Sequence, residues 1–130
     1  MRVLQPAGWP RPKGYANGIE AEGRMVFVAG QIGWDETGHF QAKDFAGQFH
    51  QALRNTLAVL KEAQAGPEHI VRMIWFITSR EDYTAATAEM GTAWKALIGR
   101  NYPTMAVIIV SGLIEPEAKI EIETTAVVPR

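Results

Sequence analysis

The sequence predicts a single α+β domain of order ββαβαββ, a mixed sheet with two helices on one face. Two stretches, opening at Asp44 and at Ser79, repeat apolar residues at three- and four-residue spacing, the period of an amphipathic helix. Around them lie short runs rich in β-branched and aromatic residues, bounded by glycine, proline and aspartate.

Length and composition set the outer limits. A chain of 130 residues, 47% of them hydrophobic, fits one domain and can bury one core, at a size where self-association helps. With 13 basic and 14 acidic residues and a formal net charge of −1, it lacks the clustered positive charge of a nucleic-acid or membrane-surface protein. The absence of cysteine excludes disulfides, thiolate nucleophiles and cysteine metal sites together. No apolar run reaches the length of a bilayer span, and no signal-peptide pattern follows Met1. A cytoplasmic protein without nucleic-acid or membrane partners is expected.

Three of the seven prolines fall in residues 1–14, so residues 1–13 read as an extended lead-in to a domain spanning 1–130. A short strand over Gly14–Ile19 and an apolar strand over Met25–Ala29 flank the Glu22-Gly23-Arg24 turn and are expected to form a hairpin. Gly30-Gln31-Ile32-Gly33 then breaks the run, and Asp35-Glu36-Thr37-Gly38 is turn chemistry.

Asp44 is a good N-cap for a helix to about Gln64, with Phe45, Phe49, Ala52, Leu53, Thr56, Leu57 and Leu60 on one stripe and Gly66-Pro67 as its stop. Ile70–Thr78 alternates, with Ile70, Arg72, Ile74, Phe76 and Thr78 on one face and Val71, Met73, Trp75 and Ile77 on the other. Ser79-Arg80-Glu81-Asp82 has capping-box spacing and opens a helix that places Tyr83, Ala86, Met90, Trp94 and Leu97 on one face and stops at Gly99. Met105–Val110 is a strand, and Lys119–Val128 alternates as the last. Strands apolar on both faces, under helices on only one, predict that the free face is an interface between copies of the chain.

From Gly14 onward, the order and spacing of Gly14-Tyr15-Ala16-Asn17-Gly18, Val26-Phe27-Val28-Ala29-Gly30-Gln31-Ile32, Asp82-Tyr83, Tyr102-Pro103 and Lys119-Ile120-Glu121-Ile122-Glu123 resemble the RidA/YjgF family of reactive-intermediate deaminases. The resemblance implies a chorismate-mutase-like fold and a homotrimer whose sheets pack into a central barrel. It also implies small-molecule ligands in the clefts between subunits, and cofactor-free hydrolysis of enamines and imines such as 2-aminoacrylate to 2-keto acids and ammonia. By the same resemblance Tyr15 lines the pocket, Gly30 lets the backbone approach the ligand, and Glu121 positions the hydrolytic water.

Two positions depart from the family pattern. An Arg that clamps the substrate carboxylate follows Pro-Ala in archetypal members, whereas Pro103-Thr104-Met105 stands here, and Thr87 occupies the place of an Asn. A guanidinium gives a carboxylate two charge-assisted hydrogen bonds and a thioether gives none; losing a buried contact of that kind costs roughly 2–5 kcal/mol. The usual 2-imino acids are therefore not the expected substrates. Lys13, Arg80 and Arg100 are candidates for a substitute charge.

Other residues have plainer readings beside the functional ones. Met105 is either core or an apolar pocket wall. Glu121 and Glu123 share a strand face, an ordinary polar outer face but for the resemblance. Trp34, a loop aromatic, either caps the pocket or covers a subunit interface. Trp75 and Trp94 read as core, and Trp9 has no assignable role. His39, His50 and His69 share no metal-ligand spacing, and neither Ser79 nor Ser111 has triad partners, so no metal site is expected. Two functions compete: an enamine/imine deaminase, and a non-catalytic homotrimer that binds a small metabolite. The nuclease activity ascribed to some relatives lacks the basic surface it needs.

Overall fold

The computed structural model describes all residues from Met1 to Arg130. Strands β1 (Arg2–Leu4) and β2 (Gly18–Glu20) form a small antiparallel sheet of their own. The main sheet holds β3 (Arg24–Ile32), β4 (Ile70–Ile77), β5 (Thr104–Ile109) and β6 (Ile120–Val128), in the spatial order β3-β6-β4-β5. β4 and β5 run parallel, and the other two pairings are antiparallel. Helices α1 (Phe45–Glu62), α2 (Arg80–Ala85) and α3 (Thr87–Leu97) complete the domain.

α1 forms where the apolar stripe and the cap coincide. The Asp44 carboxylate accepts from the Gly47 amide at 3.3 Å, satisfying one of the free N–H groups of the first turn. Phe49, Ala52, Leu53, Thr56 and Leu60 are then wholly buried against the sheet. Gln48 is buried among them because both ends of its amide are used. Its Nε2 donates to the Glu117 carbonyl at 3.0 Å and its Oε1 accepts from the Lys119 amide at 2.8 Å, which ties α1 to the start of β6. Leu53→Ala is expected to cost about 2–5 kcal/mol, as core leucine truncations do. Urea unfolding at fixed protein concentration measures it, and a loss under about 1 kcal/mol would place Leu53 outside the core.

Five sequence expectations are corrected. The first hairpin does not form: β2 pairs with β1, and the chain before it runs beside β5, where Ala16 bridges Thr104 and its amide donates to the Pro103 carbonyl at 3.0 Å. Three residues bounded by glycine offer little side-chain pairing, so the local sequence does not choose the partner.

Gly30 and Gln31 do not end β3. The strand continues to Ile32 through a register shift between Val28 and Gln31, a bulge that absorbs the glycine. α1 stops at Glu62 with Ala63 as its C-cap, and Gln64 takes the left-handed conformation (φ 53°); Gly66-Pro67 instead opens a short 3-10 turn.

The second helix is cut in two at Ala86 (φ −104°, ψ 9°), and the Thr84 and Thr87 hydroxyls bond back to backbone carbonyls three residues earlier. The Ser79 hydroxyl nevertheless caps it, accepting from the Asp82 amide at 3.1 Å. On β4, Ile70 turns to the core because the register with β6 shifts between Ile70 and Arg72.

The rest of β4 alternates as its sequence predicts. Met73, Trp75 and Ile77 are buried under the helices, while Ile74 and Phe76 are only half-buried on the other face. That second face carries Met25 (60% exposed) and Phe27 (70% exposed) on β3 and the exposed Ile108 on β5. No element of the chain covers it.

Candidate functional site

The site residues named from sequence fall into two groups. Tyr15, Thr87 and Met105 line one cavity of about 820 Å³ at the β5 edge, on the helix side of the sheet. The corrected pairing of residues 16–20 brings Tyr15 there, since the Ala16–Pro103 hydrogen bond holds that segment against the start of β5. Thr87 opens α3, and Met105 packs against the core beside Met73 while forming part of the cavity wall. Arg100 and Lys13 also line this cavity; Arg80 does not.

The second group is Glu121 with Gly30. Glu121 lies on β6 opposite Ile32 and Phe76, on the face away from the helices, because its neighbours Ile120 and Ile122 point into the core. A Cβ placed on Gly30 would lie 2.7 Å from the Glu121 Cδ and closer still to its Oε2. Only glycine leaves the carboxylate where it is. The chain's three ion pairs, Arg2–Glu20, Lys43–Glu117 and Lys119–Asp82, all lie elsewhere, so Glu121 has no cationic partner. The pair lies on β6 and β3 while the cavity lies at the β5 edge, and the two groups sit on opposite faces of one sheet. They do not meet within a chain.

Trp34 belongs to neither group. It packs against Phe40 with ring centroids 6.0 Å apart and the rings tilted by 44°, and its carbonyl accepts from Asn55 Nδ2 at 2.8 Å, as that of Ile32 does at 3.1 Å. Its loop is built on one carboxylate. Asp35 Oδ1 accepts from the Thr37 hydroxyl (2.6 Å), the Thr37 amide (2.9 Å) and the His39 amide (3.1 Å), and Oδ2 accepts from Gln41 (2.9 Å). These donors, the Thr37 hydroxyl first and Gln41 next, hold the Asp35 pKa far below the usual carboxylate range.

A depressed pKa makes the loop's stabilisation complete above the ordinary aspartate value near 4 and lost only as pH falls through the lower folded value. Amide-exchange protection at Thr37 and His39, corrected for the intrinsic rate, is therefore expected to persist below pH 4 and to vanish at all pH values in Asp35→Ala. Loss of protection already between pH 5 and 4 would contradict the assignment.

The sequence reading missed how much of the cavity is aromatic. Trp75 and Trp94, read as core, both line it, as do Tyr83 and Tyr102. Phe49, Trp75 and Trp94 form a continuous ladder, with ring centroids 4.9 Å and then 6.0 Å apart. The indole N–H groups of Trp75 and Trp94 are buried and have no acceptor within the chain. Lys95 joins Lys13 and Arg100 on the lining, which carries no acidic residue. The available signal was the spacing of Tyr83, Thr87, Met90 and Trp94 along one helical face. Residues with polar tips recurring on a stripe mark a wall that meets more than core.

Residues 10–128 match the family described as endoribonuclease L-PSP. The chain belongs to the RidA/YjgF family. A RutC family protein of Pyrococcus abyssi is 31% identical over 119 residues, 90% of this chain and 89% of the relative. Among solved structures, the Rid-family protein YyfB of Yersinia pestis superposes with a TM-score of 0.83 at 30% identity, covering 98% of each chain. E. coli TdcF with bound serine gives a TM-score of 0.71 at 28% identity, covering 98% of this chain and 99% of TdcF. The YjgF-like α+β fold expected from the sequence is the one found, and no helix of this family member is long and apolar enough to cross a membrane.

Proposed function

We propose that this RidA/YjgF-family chain is a cofactor-free imine hydrolase, working as a homotrimer with clefts shared between subunits. The observation that carries the reading is the Glu121 carboxylate, held against Gly30 with no cation to neutralise it. Water adds to the imine carbon while Glu121 accepts its proton. That proton passes to the nitrogen to give a carbinolamine; Glu121 then takes the hydroxyl proton and delivers it to the amino nitrogen, the C–N bond breaks, and ammonia and a carbonyl compound leave. Gly30 supplies the close backbone approach, and Tyr15, Thr87 and Met105 form the opposing wall, with Trp34 at the margin.

Two features support an assembly of this kind. The uncovered sheet face carries exposed Phe27, Met25 and Ile108, and the two groups of site residues can join only if one chain brings Glu121 to another chain's cavity. Gly30→Ala is expected to leave the melting temperature nearly unchanged, because the clash is with the flexible end of a side chain, and to lower turnover by at least ~10-fold by displacing the carboxylate. Turnover unchanged in Gly30→Ala would separate Gly30 from the reaction.

Met105 supports a different substrate preference from that of the archetype, and it also favours a second reading, a trimer that binds a metabolite without turning it over. Ketoacid and ammonia release from 2-iminopropanoate generated in situ separates the two, with wild type compared to Met105→Arg. A weak wild type and an activated Met105→Arg support hydrolysis with altered substrate choice. No turnover by either protein, on this or on larger imines, refutes it in favour of binding alone.

A further inference from the structure

We propose that the cavity at the β5 edge is a binding site for aromatic monocarboxylates, with the acid held by Lys13, Lys95 and Arg100 and the ring held by the aromatic wall. The inference deepens the proposed imine hydrolysis and shares its cavity: it assigns as substrates imino acids with an aryl side chain, whose charge is met at the cavity rim instead of at residue 105.

Charge selects the acid. The chain as a whole carries 14 acidic against 13 basic residues, yet the cavity lining has three cations and no carboxylate. None of the three takes part in an ion pair within the chain. Arg100 follows Gly99, whose left-handed backbone (φ 73°) ends the helical segment. Lys13 precedes Gly14 (φ 81°), just before Tyr15. The cations thus reach the cavity from separate segments of chain, and each is free to meet an anion.

Size and surface select the aromatic body. A cavity of about 820 Å³ falls in the range that encloses drug-sized ligands, roughly 300–1,000 Å³. A three-carbon imino acid would leave most of it to water. Tyr15, Tyr83, Tyr102 and Trp94 present flat faces and edges on which a ring packs by offset or edge contact, and Met105 adapts to its outline. An Arg at position 105 would put a charge in that wall. The methionine is therefore the residue that fits the wall to a ring once the charge is carried elsewhere.

The test is calorimetric titration of the full chain with 3-phenylpropionate, its neutral analogue 3-phenylpropan-1-ol, and propionate. Wild type is expected to bind 3-phenylpropionate about tenfold more tightly than either of the others. In Lys13→Gln/Lys95→Gln/Arg100→Gln, three exposed substitutions that leave the core intact, the preference for the acid over the alcohol is expected to disappear while affinity for the alcohol is kept. Equal affinity of wild type for acid and alcohol overturns the proposal, as does propionate binding as well as 3-phenylpropionate or an acid preference that survives the triple substitution. Binding is read without turnover, so the two readings fail separately. A chain that prefers the aromatic acid but hydrolyses no imine keeps this site and loses the hydrolase. A chain that hydrolyses small imines without that preference keeps the hydrolase and loses this site.

Discussion

Glu121→Gln is expected to lower kcat for imine hydrolysis by about 10²- to 10⁴-fold, the usual contribution of a positioned acid–base group. The amide keeps the size and much of the hydrogen bonding of the carboxylate, yet it cannot take a proton from water. Glu121 lies on the sheet face away from the helices and has no ion-pair partner. Its replacement leaves no buried charge behind, so the melting temperature should move by no more than a few degrees. Steady-state ammonia release and thermal unfolding, measured on the same preparation, check both halves. A Glu121→Gln protein that retains more than a tenth of the wild-type kcat would remove the carboxylate from the reaction and leave ligand binding as the function of the cleft.

Phe27→Asp is expected to convert the proposed trimer to monomer. Phe27 is 70% exposed on a sheet face that also displays Met25 and Ile108, and nothing within the chain packs on it. Burying a phenylalanine side chain contributes about 1.5–3 kcal/mol, and a closed three-fold assembly repeats the contact in each copy. A carboxylate at that position forfeits the term three times and adds a buried charge in each subunit. Sedimentation velocity reads the outcome directly. Because the site is split between subunits in this account, the monomer should also lose turnover while keeping its fold. A Phe27→Asp protein that remains trimeric would move the interface off this face.

The fold was legible wherever one residue period dominated. The α1 stripe, the alternation of β4 and β6, and the caps at Asp44 and Ser79 are local signals, and the structure keeps each of them. Pairing choices were not legible. β2 is three residues long, and what decides its partner is β1 and the edge of β5, contacts distant in sequence. Gly30 signals a break as much as a bulge, and β6 supplies the ladder that turns it into the latter.

The candidate site divides along the same line. Tyr15, Gly30, Thr87, Met105 and Glu121 were named through the family resemblance, but their division into two groups follows from the strand order, which no single motif encodes. Trp94 packs against the core as read and lines the cavity as well, and an aromatic on a helical stripe gives no sign of the second contact. Lys95 was passed over, since one lysine on a helix carries no signal until Lys13 and Arg100 arrive from elsewhere.

The most direct test of a cleft shared between subunits is complementation. Glu121→Gln disables one group of site residues and Tyr15→Asp the other, and two differently tagged chains, one of each, are co-expressed and purified as mixed trimers. Imine hydrolysis is then measured against both parents and wild type. In a mixed trimer of either ratio, one of the three clefts pairs an intact Tyr15 wall with an intact Glu121, so activity is expected to return to roughly a third of wild type. Mixed trimers no more active than either parent would contradict a site built from two chains.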